Sequence, residues 1–369
     1  MDTKKRNERN SAIELLRILS MIMIVFHHFA CHGGFEWGTT ISITRLWYNF
    51  IVMGGKIGVN IFVLISGYYL VSNESEIFDI NKVIKFVGQI LFYSVGIFVA
   101  CKLTGIAHYD VKALIKVFFP ITFSQWWFAS TYFVLYLLHP YLNKLLKNLE
   151  KSLYQSLLLL MVVCWSIIPT FTTSSFQSNP LLWFVTLYSI AGYIRLYGVN
   201  GRFTSKQYFL FYVICSILTY SSSVILLRSK RSLFSGYSTY FYEQEKLTIL
   251  LISLCLFLCF LTLKMNYHKW INTLASATFG VYLLHDNSVI RKLLWIDLFN
   301  NAKYQESLFL IPYSIIVVII VYVIFSLIDL LRQKVIEIPC MKFVKKYSNI
   351  IITFMGKRVN LLKVFIFGK

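Results

Sequence analysis

The chain has 369 residues, of which 57% are hydrophobic and 14% are charged, and its formal net charge is +20. A soluble globular domain carries about 25% charged residues, so this composition excludes an ordinary soluble protein. The basic residues lie between long apolar runs instead of sharing one face with stacking aromatic residues, which argues against nucleic acid as a partner.

Ten apolar runs follow one another along the chain, each near the ~20 residues with which a helix crosses a bilayer. We therefore predict an all-α, polytopic membrane protein with about ten transmembrane helices and the lipid bilayer as its surroundings. Residues 1–332 are expected to form one membrane domain, and residues 333–369 a basic amphipathic cytoplasmic tail. The predicted spans are 12–31, 46–70, 82–102, 126–146, 153–170, 181–199, 207–227, 247–264, 272–292 and 308–331.

Lysine and arginine residues are concentrated in the amino-terminal segment and in alternate loops. Lys144, Lys147 and Lys151 lie between the fourth and fifth spans, whereas the next loop, TFTTSSFQSNP, carries no charge. Loops rich in lysine and arginine stay on the cytoplasmic side of a membrane. We therefore expect both termini in the cytoplasm.

The first span, ELLRILSMIMIVFHH from Glu14 to His28, places ionisable groups in an apolar helix. Arg17 and His28 are eleven positions apart, which is three helical turns plus roughly 20°, so they project from the same face of the helix. They are separated by ~16 Å along its axis. Glu14 is close enough to Arg17 to pair with it. Arg17 could instead snorkel to the headgroups, and His28 could make a helix–helix hydrogen bond.

His28 and His32 have the i, i+4 spacing that can hold a metal ion. No carboxylate completes a zinc-protease signature at these positions. We therefore predict no metal site and no bound cofactor.

A second polar cluster lies in the ninth span, where SATFGVYLLHDNS contains His285 and Asp286. His285 reaches a depth similar to that of His28, and ionisable groups inside a membrane usually face protein or a water-filled cavity. The two histidines are therefore expected to share an interior site. Asp286 either orients an imidazole or marks the outer water boundary.

Five further residues are candidate contacts with a substrate, and each also has a structural interpretation. Ser66 is a small residue suited to helix packing. Trp127 fits the aromatic belt at the membrane interface or a stacking surface for a sugar. Lys82, Lys85 and Arg195 could contact phosphates as positive charges, although positive-inside bias alone would also place them where they are.

Four stretches of this sequence resemble the integral-membrane acyltransferase-3 family. The first span of that family has an arginine, ten residues and then a histidine, a spacing that Arg17 and His28 share and that His27 does not. GVNIFVLISGYYL, WWFASTYFVLYLLHPYLN and TFGVYLLHDN are similar to later stretches of the family, in the same order. Tyr68 stands where phenylalanine is commoner, and the third span has lysines where arginines often occur.

The resemblance implies transfer of an acyl group, usually acetyl, from cytoplasmic acyl-coenzyme A to a hydroxyl of a glycan. It further implies that residues 1–332 are a membrane acyltransferase domain in a bacterial plasma membrane, with acetyl-coenzyme A as cosubstrate. The acceptor is then a carbohydrate, either a surface polysaccharide or a lipid-linked repeat unit. We hypothesise that His28 is the catalytic base, or a transient acyl carrier, and that Arg17 holds the donor.

Two other functions remain open from the sequence. A transporter or glycan flippase would use His28 and His285 as a proton relay. Helix-breaking residues in two matching halves would favour it, but Gly54, Gly55 and Gly58 have no counterpart in a second half. A polysaccharide polymerase is expected to have a large charged outer loop, and the longest outer loop here is modest.

Overall fold

The structure is a computed structural model. It describes residues 9–37, 40–73, 78–106, 110–199, 201, 203–229 and 237–347, and these contain helices and no strand. The all-α prediction is confirmed for this part of the chain. Residues 1–8 and 348–369, which the sequence analysis placed in the cytoplasm, lie outside the described residues, as does Arg202 between the predicted sixth and seventh spans.

Fourteen α-helices are described, and several of them continue into short π-helical turns. The first seven are α1 Ser11–Cys31, α2 Ile43–Leu70, α3 Ile80–Thr104, α4 Val111–Phe118, α5 Trp127–Asn148, α6 Lys151–Val162 and α7 Ile168–Phe171. The remaining seven are α8 Pro180–Tyr197, α9 Ser205–Arg228, α10 Leu247–Thr262, α11 Lys269–Ser276, α12 Thr278–His285, α13 Ser288–Lys292 and α14 Leu310–Arg332.

Seven of the described helical segments are long and apolar enough to cross a bilayer. They are Ser11–Cys31, Ile43–Leu70, Ile80–Thr104, Lys151–Phe171, Ser205–Arg228, Tyr240–Thr262 and Leu310–Tyr347. Helices α5 and α8 coincide with the predicted fourth and sixth spans but are not among these seven, and they carry buried polar side chains such as His139 and Thr186. The structure thus supports a multi-pass membrane protein, while the number ten and the cytoplasmic termini stay predictions.

The predicted ninth span, 272–292, is not one continuous helix. It is divided into α11, α12 and α13, with breaks at Ala277 and at Asp286 and Asn287. The Asn287 side chain accepts a hydrogen bond from the backbone N–H of Val289 at 3.0 Å, as an N-cap residue does at the start of a new helix. This break places His285 and Asp286 at a helix end inside the bundle.

Helix α1 lies at the centre of the bundle and packs against α2, α10, α11, α12 and α14. Its antiparallel contact with α2 is close because glycines of α2 face α1. A Cβ atom at Gly58 would lie 2.6 Å from the carbonyl oxygen of Ser20, and one at Gly55 would lie 2.3 Å from Cγ of His27. Small residues allow such close approach between membrane helices.

Helix α14 continues beyond Arg332 through a π-helical turn at Gln333–Glu337, and helix is described as far as Tyr347. The helix therefore crosses residue 332, where the sequence placed the end of the membrane domain. Buried Arg332 donates to Asp329 Oδ1 at 2.7 Å and to Glu337 Oε2 at 2.8 Å. The division into a domain and a tail stays a prediction, and the tail beyond residue 347 is not described.

Candidate active site

One face of α1 lines a cavity of about 270 Å³ in the interior of the bundle. Arg17, Met21, Ile24 and His28 form this face, with the spacings of four, three and four residues that one side of an α-helix produces. Arg17 and His28 therefore share one cavity, as their spacing predicted. The rise of an α-helix separates them by ~16 Å along the axis.

The remaining walls are largely aromatic, with a few polar groups. They are formed by His27 of α1, by Gly55, Lys56, Val59, Phe62 and Ser66 of α2, by Phe86 of α3, by Trp127, Phe128 and Tyr132 of α5, and by Thr278, Phe279 and Tyr282 of α12. Ligand sites combine apolar walls with a few placed polar groups in this way. The cavity is thus suited to a thin, mostly apolar molecule with a polar reacting centre.

The imidazole of His28 lies beside His285 and Asp286. His28 Nδ1 is 2.8 Å from Nε2 of His285 and 3.5 Å from Oδ1 of Asp286. His285 and Asp286 are buried, and the His28 side chain is 13% exposed. The prediction that the two histidines meet in the interior is confirmed by this geometry.

The hydrogen-bond pattern assigns the tautomers of both neutral imidazoles. His285 Nδ1 lies 2.6 Å from the carbonyl oxygen of Val281, and a carbonyl oxygen only accepts, so Nδ1 of His285 carries a proton. Nε2 of His285 is then an acceptor, and Nδ1 of His28 donates to it. The free lone pair of His28 is consequently on Nε2, which is the nitrogen available to take a proton from a substrate.

Asp286 stands at the C-terminal end of α12, between His28 and Arg291. Its Oδ1 accepts from Arg291 Nε at 2.9 Å and lies 3.9 Å from His32 Nε2. Its side chain is 1% exposed, so this carboxylate does not mark a water boundary. Of its two predicted roles, the geometry favours orientation of an imidazole.

His28, His32 and Asp286 have ligand atoms within 4.8 Å of one another, close enough to surround a metal ion. The sequence marked Asp286 as a possible partner of an imidazole but did not join it to His28 and His32 as a metal ligand, because it follows a helix distant in the chain. Arg291 donates to the same oxygen that would bind the ion, and a guanidinium competes with a cation for a carboxylate. The absence of a bound metal ion at this site therefore remains a prediction from the sequence.

Arg17 lines the cavity at the end remote from His28. Its Nε is 3.7 Å from Oε2 of Glu14, and the two side chains are 27% and 10% exposed. Nε of Arg17 has no hydrogen-bond partner among the described residues. The guanidinium is therefore held by one loose ion pair and retains donors for an anionic ligand.

The other predicted contact residues are divided between the cavity and its surroundings. Ser66 and Trp127 line the cavity, and Ser66 Oγ donates to the carbonyl oxygen of Phe62 at 2.8 Å. Trp127 therefore faces the interior, where the sequence favoured a belt at the membrane interface.

The three predicted phosphate contacts lie outside the cavity wall. Lys85 Nζ is 2.6 Å from Glu337 Oε1, and Lys82 is exposed near the start of α3. Arg195 Nε donates to Ser72 Oγ at 2.8 Å, and its Nη1 donates to the hydroxyl of Tyr68 at 3.1 Å. Lys85 and Arg195 are thus engaged by protein groups, and their predicted contact with a donor stays untested.

Lys56 is a cavity residue that the sequence analysis missed. It lies in MGGKIGV within the second span, where the glycines drew attention as helix breakers and the lysine did not. A lysine in the middle of an apolar span is itself a signal, because ionisable residues inside a membrane are usually functional. The aromatic walls from α5 and α12 had no signal beyond general hydrophobicity.

Comparison with known proteins adds one finding. The model of a family described as an acyltransferase domain, the acyltransferase-3 family, matches residues 10–328. That range includes α1 to α13 and nearly all of α14, and hence every residue that lines the cavity. No curated protein and no solved structure matches the chain.

Proposed function

This chain belongs to the acyltransferase-3 family of membrane acyltransferases, and we propose that it transfers an acetyl group from coenzyme A to a sugar hydroxyl. The acceptor is a cell-surface or exopolysaccharide, or its lipid-linked repeat unit, and the membrane is a bacterial plasma membrane. One observation carries the proposal: Arg17 and His28 lie at two ends of a single cavity. The cavity therefore holds both a cation that can bind the donor, Arg17, and a base that can activate the acceptor, His28.

The donor enters from the end of the cavity at Arg17. Coenzyme A is polyanionic, and the planar guanidinium of arginine binds phosphate oxygens through paired hydrogen bonds. The pantetheine arm is long and thin, so it can follow the aromatic walls across much of the ~16 Å between Arg17 and His28. The thioester then lies near His28.

Proton removal by His28 makes the acceptor hydroxyl reactive. A sugar hydroxyl is a poor nucleophile near neutral pH, and a neutral imidazole that takes its proton during attack typically contributes 10²–10⁴-fold in rate. Nε2 of His28 has the free lone pair for this step. Its Nδ1–H donates to His285, with Asp286 nearby, so the ring is held in one orientation.

The aromatic walls supply the environment for the reaction. Phe128 stacks on Tyr132 with ring centroids 6.0 Å apart, and Phe86 stacks on Phe279 at 5.0 Å. Such walls exclude water from the thioester, which reduces its hydrolysis. Trp127 offers a flat surface against which a sugar ring can stack.

Reconstitution of the purified protein in vesicles tests the proposed function. Acetyl-coenzyme A labelled in the acetyl group is supplied together with polysaccharide or lipid-linked repeat units. Label on the glycan is the expected result, and mass spectrometry of the product identifies the sugar and the acylated position. Movement of unmodified glycan across the vesicle membrane without label would instead favour a flippase and contradict the acyltransferase proposal.

A further inference from the structure

Helix α2 carries a positive charge near its centre, at Lys56, although the surrounding sequence is apolar. Charged side chains inside a membrane are expensive and usually face protein or a water-filled cavity. Lys56 follows this rule, since its side chain lines the same cavity as His28. A cation at this place requires either a structural partner or a function.

The available structural partner is weak. Lys56 Nζ lies 4.0 Å from Oε2 of Glu243, whose side chain is 55% exposed. An ion pair of this length with an exposed carboxylate contributes little to stability. Nζ also lies 5.7 Å from the centre of the Trp127 ring. Nζ makes no hydrogen bond to another residue in the described ranges, so its donors are available to a ligand.

The depth of Lys56 matches that of His28. Its neighbour Gly55 packs directly on His27, where a Cβ atom would lie 2.3 Å from Cγ of the imidazole. Lys56 is therefore at the level of His27 and His28, on the wall that α2 forms next to α1. Arg17, the other permanently charged residue of the described cavity wall, lies ~16 Å from His28 along α1.

From these positions we propose that Lys56 is a catalytic residue that stabilises the oxyanion formed when the sugar hydroxyl attacks the thioester. This role rests on the proposed function. A positive charge aimed at the developing negative charge is worth most in a site from which water is excluded. Gly55 contributes indirectly, because only a residue without a side chain lets α2 approach α1 closely enough.

The reaction balances with the groups at hand. The hydroxyl oxygen forms a bond to the carbonyl carbon of the thioester, its proton passes to Nε2 of His28, and the π electrons of the carbonyl move onto oxygen. Lys56 donates a hydrogen bond to that oxyanion. When the carbonyl re-forms, the carbon–sulfur bond breaks, and the coenzyme A thiolate takes the proton back from Nε2. The products are the sugar ester and free coenzyme A.

The test compares three variants in the vesicle assay with labelled acetyl-coenzyme A. Lys56→Met keeps the length of the side chain but removes its charge, Lys56→Arg keeps the charge, and Glu243→Gln removes only the weak partner. Because a single oxyanion donor typically contributes 10²–10³-fold in kcat, Lys56→Met should lose about that much with the KM for acetyl-coenzyme A nearly unchanged. Lys56→Arg should keep a substantial part of the rate.

The control separates catalysis from folding. Glu243→Gln should remain within about twofold of the wild-type kcat, since the ion pair it breaks is long and exposed. Thermal unfolding of each purified variant reports on the stability of the fold. A folded Lys56→Met protein with wild-type kcat, or with a change in KM alone, would overturn the role in oxyanion stabilisation. An equal loss in Glu243→Gln would show that the ion pair acts structurally and would also overturn it.

Failure of the proposed function has a different signature. If the wild-type protein itself transfers no label, the acyltransferase proposal fails, and the role of Lys56 fails with it. If the wild type transfers label and Lys56→Met does so equally well, only the role of Lys56 is refuted.

Discussion

Replacement of His285 by phenylalanine should slow acyl transfer by loosening the orientation of His28. In the wild-type protein, the Nδ1–H of His28 donates to His285 Nε2 at 2.8 Å, and Asp286 Oδ1 lies 3.5 Å from the same nitrogen. Phenylalanine keeps an aromatic ring at position 285 but removes the nearer acceptor. The imidazole of His28 is then less firmly held, and its Nε2 faces the cavity for less of the time.

The size of the effect follows from the lost hydrogen bond. A buried donor left without its partner costs about 1–3 kcal/mol, and 1.36 kcal/mol corresponds to tenfold in rate. The kcat should therefore fall about 5- to 160-fold. Removal of His28 itself should cost more, because the His285→Phe protein still has the base and still has Asp286 near its Nδ1–H.

Initial rates of labelled acetyl transfer at saturating donor and acceptor measure this loss. His285→Gln is the matched variant, because the amide oxygen of glutamine reaches the position of Nε2 and can accept from His28. We expect His285→Gln to recover most of the rate that His285→Phe loses. The KM values for both substrates should change little, since His285 does not line the cavity.

Two outcomes would refute this reasoning. A folded His285→Phe protein with wild-type kcat would show that the contact with His285 does not orient the base. Equal losses in the phenylalanine and glutamine variants would show that the residue acts through packing and not through the hydrogen bond.

Arg17→Lys should raise the KM for acetyl-coenzyme A about tenfold with little change in kcat, because lysine keeps the charge but loses the planar fork that binds phosphate. Calorimetry measures binding of the donor to the variant, and unchanged binding would contradict the role of Arg17. At Gly280 an added Cβ would lie 2.1 Å from Cγ of Asp329, so Gly280→Ala should push Asp329 away from Arg332 and break their buried ion pair. Breaking a buried pair costs about 3–5 kcal/mol, and the free energy of unfolding should fall by that amount. Gly96→Ala is the control, as a Cβ there meets nothing within 4 Å, and equal thermal unfolding of the two variants would count against the buried contact.

The part of the site on α1 could be predicted because it depends on one helix. The eleven-residue spacing of Arg17 and His28 fixes their common face through helical geometry alone, and both residues line the cavity. The similar membrane depth of His285 and His28 could be inferred from the position of His285 within the predicted ninth span and from the predicted direction in which that span crosses the membrane. The structure adds the atomic contact with His28.

Contacts between distant segments could not be predicted in the same way. Lys85 pairs with Glu337, which the sequence placed in a tail beyond the last span, so nothing marked the two residues as neighbours. The ninth span was drawn as continuous because its residues are apolar, whereas Asn287 starts a new helix there. Asparagine competes for backbone hydrogen bonds through its side chain, a local signal that hydropathy does not register.

Trp127 and Lys56 show a third limit of sequence reasoning. A tryptophan at the start of a span suits the membrane interface equally well whether it faces lipid or the interior, and only packing decides between them. Lys56 lines the cavity because glycines of α2 bring that helix close to α1. A pairwise contact of this kind depends on both helices together.

The most direct measurement of the catalytic centre is the rate of acetyl transfer by His28→Ala compared with His268→Ala. His268 is exposed and lies outside the cavity wall, so its removal controls for the loss of an imidazole. His28→Ala should reduce kcat at least 100-fold while binding of acetyl-coenzyme A and thermal stability stay near wild type. Transfer by His28→Ala at the rate of the His268→Ala control would contradict a reaction at the cavity that Arg17 and His28 share.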